Sequence, residues 1–90
     1  MNKDIEIIDS PLSRKFEQDG EVVEVKIYYS KEDPPKESGW VLEIEDKFGN
    51  STIYEGMFKS DHEALDQFLN DVKEEGINAF IGSPPSWKLH

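Results

Sequence analysis

The sequence predicts an α+β fold in two layers, in which a four-stranded antiparallel β-meander packs one face against a single C-terminal helix. Two segments alternate apolar and polar residues with a period of two, and each has a turn signal at its centre. A third segment, closer to the C-terminus, repeats apolar residues at helical spacing behind a helix-start signal. Together these three segments predict two hairpins followed by a helix.

The first hairpin is predicted over residues 12–29. Asp19-Gly20 is a strong two-residue turn signal, because both positions tolerate the positive φ angles that such turns require. This turn would pair Phe16 with Val23, Arg14 with Val25 and Leu12 with Ile27. The paired residues would share one face of the hairpin, and mainly charged residues would lie on the other.

The second hairpin is predicted over residues 39–58, where Trp40, Leu42 and Ile44 alternate with more polar positions. A three-residue loop at 48–50 would pair Ile44 with Tyr54 and Trp40 with Phe58. This register keeps the apolar side chains on one face. A two-residue turn at 49–50 would set Ile44 opposite Glu55, and we reject it for that reason.

The helix is predicted from Ser60 to residue 75. Ser60 and Glu63 match the capping box. The apolar stripe consists of Leu65, Phe68, Leu69 and Val72, with Ala64 at its edge. Gly76 would end the helix in the left-handed conformation, with Ile77 closing back on Val72. Residues 77–81 could form a short fifth strand or a packed extension.

Ninety residues make one domain, close to the lower size limit for a chain that folds alone. We expect an ordered core over about 11–81. Residues 1–10, 30–38 and 82–90 look irregular, and the two ends are candidates for flexible segments. The last two stretches each contain a Pro-Pro pair, which removes amide donors.

The net charge is −10, and this excess of acids disfavours direct binding to nucleic acids or to anionic membranes. The chain has no cysteine, so disulfides and thiolate chemistry are excluded. It contains no apolar run as long as that of a signal peptide, and no apolar run of the roughly 20 residues that a membrane span needs. We therefore expect a cytoplasmic protein.

The sheet face away from the helix, called the open face from here on, is the main candidate site. In the predicted register of the second hairpin Glu43 lies opposite Glu55. If Val25 pairs with Ile44, Glu24 lies beside Glu45 and Lys26 beside Glu43. The candidate interaction residues are Tyr28, Val41, Glu43, Glu45, Ile53 and Glu55. The acids could serve a cation or a basic partner, or form a solvated face that Lys15 and Lys26 neutralise. The apolar residues could be buried in a homodimer, under the N-terminal segment "DIEII" or under the C-terminal tail.

Three further residues stand out. Arg14 falls on the core face, where it could extend past the edge strand, pair with Asp66 or Asp71 on the helix, or contact an anionic ligand. His62 and Asp66 could offer two metal ligands, which is too few for a closed site, and we predict no metal. Trp87 would anchor the tail in a groove or serve as an exposed recognition residue.

The segments "LSRKFEQDGEVVEVKIYY", "GWVLEIEDKFGNSTIYEGMFKSDHEALDQFL" and "EEGI" resemble a group of short bacterial proteins of unknown function. The shared features are an LxRxF start, a GWxLE strand, a GN turn, a DxxAL helix opening and an EEGI end, over residues 11–77. The resemblance implies the sheet-plus-helix fold and a bacterial cytosolic setting. It implies no activity and no site residues.

The function expected from the sequence is non-enzymatic. No catalytic constellation or phosphate-binding loop is present, and we predict no cofactor. The favoured hypothesis is a small protein-binding module that self-associates through the open face. The alternative hypothesis is an acidic decoy that engages a basic nucleic-acid-binding protein by imitating phosphate charge.

Overall fold

The structure is a computed structural model that describes residues 6–31 and 39–83. Five strands and two helical segments follow one another: β1 (Glu6–Asp9), β2 (Arg14–Gln18), β3 (Glu21–Lys31), β4 (Gly39–Glu45), β5 (Ser51–Ile53), α1 (Asp61–Glu75) and a 3₁₀ helix (Ile77–Phe80). All strand pairs are antiparallel, and α1 packs on one face of the sheet. The predicted α+β class is confirmed, with five strands in place of four.

The first predicted hairpin forms β2 and β3. Phe16 pairs with Val23 and Arg14 with Val25, as predicted. The turn residues Asp19 and Gly20 have φ angles of 56° and 81°. Such angles are costly for most residues but are tolerated by Asp and Gly, so this dipeptide fixes the register.

The extra strand β1 lies end to end with β2 along the same edge of β3. β1 pairs with the second half of β3 and β2 with the first half. The irregular structure expected for the first ten residues is therefore wrong for residues 6–9. Both strands are short because the chain leaves the sheet between them, at residues 10–13.

This break in the sheet edge, residues 10–13, is held by two serines. The Ser13 hydroxyl donates to the carbonyl of Ile27 at 3.0 Å and accepts from its amide at 2.9 Å, so a side chain replaces a backbone partner. The buried Ser10 hydroxyl donates to Asp61 at 2.7 Å and lowers the pKa of that carboxyl. The predicted pairing of Leu12 with Ile27 is wrong, because these serine contacts occupy Ile27.

The second hairpin has the predicted pairing at one end only. Trp40 pairs with Phe58, but Ile44 pairs with Thr52 instead of Tyr54. The loop does hold three residues, at 47–49, one position earlier than predicted. A bend after β5, with Gly56 at a φ of 84°, takes up the two extra residues before Phe58.

Asp46 explains where this loop begins. Its carboxylate is only 6% exposed and accepts hydrogen bonds from the amides of Phe48 (2.9 Å), Asn50 (2.8 Å) and Gly82 (2.6 Å). The side-chain amide of Asn50 donates a fourth, at 3.1 Å. Burial raises the pKa of Asp46, but the donors from Gly82, Asn50 and Phe48 outweigh it and hold the pKa below its usual value.

Helix α1 begins and ends as its sequence predicts. Ser60 accepts from the amide of Glu63 at 3.1 Å, and the Glu63 carboxylate accepts from the amide of Lys59, one residue earlier than a capping box requires. Gly76 ends the helix with a φ of 87° and donates to Val72, although its ψ of 158° is extended and not left-handed helical.

The buried stripe of α1 is rotated from the predicted one. Ala64, Phe68 and Val72 are buried, whereas Leu65 is partly buried and Leu69 is 41% exposed. The core also takes in residues from β3, β4 and the 3₁₀ helix, namely Val23, Val25, Ile27, Leu42, Ile44, Ile77 and Phe80. Residues 77–80 thus form a packed extension and not a fifth strand.

Candidate interaction face

Alternation along β3 and β4 decides which side chains lie on the open face. Because Val23, Val25, Ile27, Leu42 and Ile44 point into the core, their neighbours point the other way. The open face therefore holds Val22, Glu24, Lys26 and Tyr28 from β3, Val41, Glu43 and Glu45 from β4, Ser51 and Ile53 from β5, Asp9 and Ile7 from β1, and Lys15 and Glu17 from β2.

The acids of this face are held by neighbouring side chains. Lys26 donates to Glu45 at 2.6 Å, and this contact raises the pKa of Lys26. Glu43 accepts from Ser51 at 2.9 Å and from the Tyr28 hydroxyl at 3.3 Å. The predicted pairs across β3 and β4 are confirmed, with Lys26 opposite Glu43. The neutralising role expected for Lys26 matches its contact with Glu45. Lys15 lies opposite Glu24 in the sheet register but forms no ion pair within the described residues.

The predicted pairing of Glu43 with Glu55 is wrong. Glu43 lies opposite Ile53, because the real register of β5 is shifted by two residues. Glu55 is exposed in the bend after β5, beyond the paired residues. The face thus has an aliphatic side chain where two like charges were expected, which removes the repulsion.

The open face exposes more apolar side chains than a fully solvated sheet face requires. Ile53 is 57% exposed and Ile7 is 58% exposed, while Tyr28 and Val41 are half-buried beside the acids. The "DIEII" segment does not cover them within the described chain, since its residues 6–8 lie in β1, at the edge of the sheet. Exposed apolar patches often mark interaction sites, and exposed Ile53 with half-buried Tyr28 and Val41 makes this face the candidate.

A groove of about 470 Å³ opens beside the break in the sheet edge. It is lined by Ile7, Asp9, Ser13, Lys26 and Tyr28. Ile7, Asp9 and Ser13 were not predicted as site residues. The sequence features that could have indicated them are the aliphatic residues before Ser10 and the turn-forming stretch "SPLS" at 10–13.

The remaining candidates lie apart from the open face. Arg14 is exposed, and its Nε donates to the carbonyl of Leu12 at 3.0 Å, so it extends past the sheet edge and does not pair with Asp66 or Asp71. Contact of Arg14 with an anion stays a prediction. His62 is exposed, with Nδ1 3.3 Å from Asp61 and not Asp66. Trp87 lies outside the described residues.

Two properties of the described residues bear on other classes of function. No three acidic or histidine side chains among them are placed to hold one metal ion. Within the same residues, α1 is too short and too polar to cross a bilayer, and no other helix could do so.

Comparison of the chain with protein-family models, with curated proteins and with solved structures found no match. We therefore infer function from the geometry of the chain itself.

Proposed function

We propose that the chain is a small non-enzymatic protein-binding module of the bacterial cytoplasm and that the open face is its binding surface. The observation that supports this most is the placement of exposed Ile53 beside Glu43, whose two carboxylate oxygens accept from Tyr28 and Ser51. A fixed polar group next to exposed aliphatic carbon is typical of interfaces, which combine apolar contact with oriented hydrogen bonds.

The proposed mode of binding is self-association, with two open faces in contact around Tyr28, Val41 and Ile53. Burial of the aliphatic side chains would supply the favourable free energy. The net charge of −10 on each chain opposes the contact, because two acidic copies repel each other. Salt screens this repulsion, so self-association should strengthen as the salt concentration rises.

Sedimentation equilibrium over micromolar to millimolar protein, at low and at high salt, tests this mode. We expect dimers that become more populated at high salt. Ile53→Lys should shift the chain to monomer, because it buries a charge at the centre of the contact. Leu69→Lys is the matched control, since Leu69 is also an exposed aliphatic residue but lies on α1.

Monomers under every condition would contradict self-association. Equal dimerisation of Ile53→Lys and the parent chain would contradict the assignment of the open face.

The acidic decoy is the second proposed function, and the outer surface of α1 is what favours it. Residues 60–75 hold six acids, which are Asp61, Glu63, Asp66, Asp71, Glu74 and Glu75, and one base, Lys73. Most of these side chains are exposed. Affinity capture from bacterial lysate, with elution by rising salt, tests this function. Release of a basic nucleic-acid-binding protein at moderate salt would support it, whereas binding that salt strengthens would contradict it.

A further inference from the structure

The groove beside the break in the sheet edge has the size and the side chains of a site for one anchoring residue. Its volume of about 470 Å³ falls within the range of ligand sites. Ile7 supplies aliphatic surface, and Tyr28 supplies an aromatic ring. The Tyr28 hydroxyl donates to Glu43 on β4, so the ring is tethered on the side away from β1. Ile7 and Asp9 of β1 line the groove together with this ring.

The charges around the groove favour a cation. Asp9 lies opposite Tyr28 in the sheet register, and its exposed carboxylate has no ion-pair partner among the described residues. Lys26 also lines the groove, but its ammonium group is drawn to Glu45 at 2.6 Å and lies near Glu43 and Glu24. The three carboxylates of Glu45, Glu43 and Glu24 outnumber this ammonium, and Asp9 adds a further negative charge in the groove lining.

We propose that this groove takes an arginine side chain from a partner protein. This inference rests on the proposed protein-binding role of the open face, and it competes with self-association because both modes use Tyr28. The aliphatic stem would lie against Ile7, the guanidinium would stack on the ring of Tyr28, and its N–H groups would pair with Asp9. Arginine fits better than lysine, because its planar guanidinium both stacks on aromatic rings and forms two parallel hydrogen bonds to a carboxylate.

NMR titration of the ¹⁵N-labelled chain with capped pentapeptides tests the inference. The probe is Gly-Gly-Arg-Gly-Gly, and the matched controls replace arginine by citrulline, which keeps the shape and loses the charge, or by lysine. We expect the arginine peptide to shift the amide signals of Ile7, Asp9 and Tyr28. The citrulline peptide should leave these signals in place, and the lysine peptide should bind more weakly.

Two variants locate the contact. Asp9→Asn should weaken binding of the arginine peptide by about fivefold, the effect of losing one partly exposed ion pair. Glu17→Gln removes the same charge from the same edge, on β2 and outside the groove, and should leave binding unchanged. The spectrum of each variant also reports whether the fold is intact.

Three results would overturn the inference: equal shifts with the citrulline and arginine peptides, an equal response to lysine, or shifts on α1 in place of the groove. None of them depends on self-association. A monomeric chain that binds the arginine peptide would contradict the proposed dimer and support the groove. Because a dimer would cover Tyr28, the titration is made at a protein concentration at which the chain is monomeric, and the absence of shifts there would contradict the groove.

Discussion

Replacing Asp46 with asparagine tests how one buried carboxylate holds the β4–β5 loop and the segment after the 3₁₀ helix together. One carboxylate oxygen accepts from the amides of Phe48 and Asn50, and the other accepts from Gly82 and from the Asn50 side chain. Asparagine has a single acceptor oxygen. Whichever way its amide is turned, an NH₂ group faces two donors and two of the four hydrogen bonds are lost.

The expected cost follows from those two bonds. A hydrogen bond to a charged group contributes roughly 1.5–3 kcal/mol, so Asp46→Asn should lower the free energy of unfolding by about 3 kcal/mol or more. For a domain of this size, this is a large fraction of the total stability. Urea unfolding, followed by tryptophan fluorescence, measures the loss. Glu45→Gln is the control, because its ion pair with Lys26 is partly exposed and should cost less than about 1 kcal/mol.

The lowered pKa of Asp46 predicts that the stability lost in Asp46→Asn depends on pH. The pKa of Asp46 is lower in the folded chain than in the unfolded chain. The carboxylate therefore stabilises the fold fully above the unfolded pKa of about 3.9, and this contribution is lost as the pH falls toward the folded pKa. The difference in the free energy of unfolding between the parent chain and Asp46→Asn should therefore become smaller as the pH falls through that range. A loss no greater than that of Glu45→Gln, at every pH, would refute the reasoning.

Two further predictions concern the core and the first turn. Phe68→Ala should cost about 3–5 kcal/mol in urea unfolding, because Phe68 is fully buried, and Leu69→Ala should cost less than about 1 kcal/mol. Similar losses for the two would contradict the observed rotation of the helix. Gly20→Val should lower the melting temperature, because a φ of 81° is expensive for a β-branched residue. An unchanged melting temperature would mean that the turn does not require this conformation.

The sequence predicted well those elements whose local signals agree with one another. Asp19-Gly20 set the turn and hence the register of the first hairpin, and the alternation in β3 and β4 set which face of each strand is buried. The helix boundaries were marked by Ser60 and Gly76. In each case the residue that ends the element and the residues that fill it favour the same structure.

Predictions failed where a distant contact decided the local structure. The register of β5 was inferred from apolar pairing, but it depends on Asp46, whose donor Gly82 lies 36 residues away. The helix is rotated toward Ala64, which lies fully buried, whereas Leu65 is only partly buried. Pattern alone does not distinguish these two positions, since both lie close to the apolar stripe.

The candidate site was predicted only in part, because part of it also depends on contacts between distant residues. Tyr28, Val41, Glu43 and Glu45 lie on the long central strands and were placed correctly on the open face. The groove was missed, because it exists only where β1 and β2 lie end to end beside β3. That arrangement depends on the hydroxyl of Ser13 bonding to Ile27, which no local pattern specifies.

The break in the sheet edge affects how readily the chain aggregates at high protein concentration. A long, straight outer strand offers a row of free amides and carbonyls on which other chains can polymerise. Here one outer edge is divided into pieces of four and five residues, and the paired part of the other edge is only three residues long before the bend at Gly56. Within residues 6–31 and 39–83, neither edge is a long template for fibril growth, so contact through the sheet faces carries little risk of stacking into insoluble fibres.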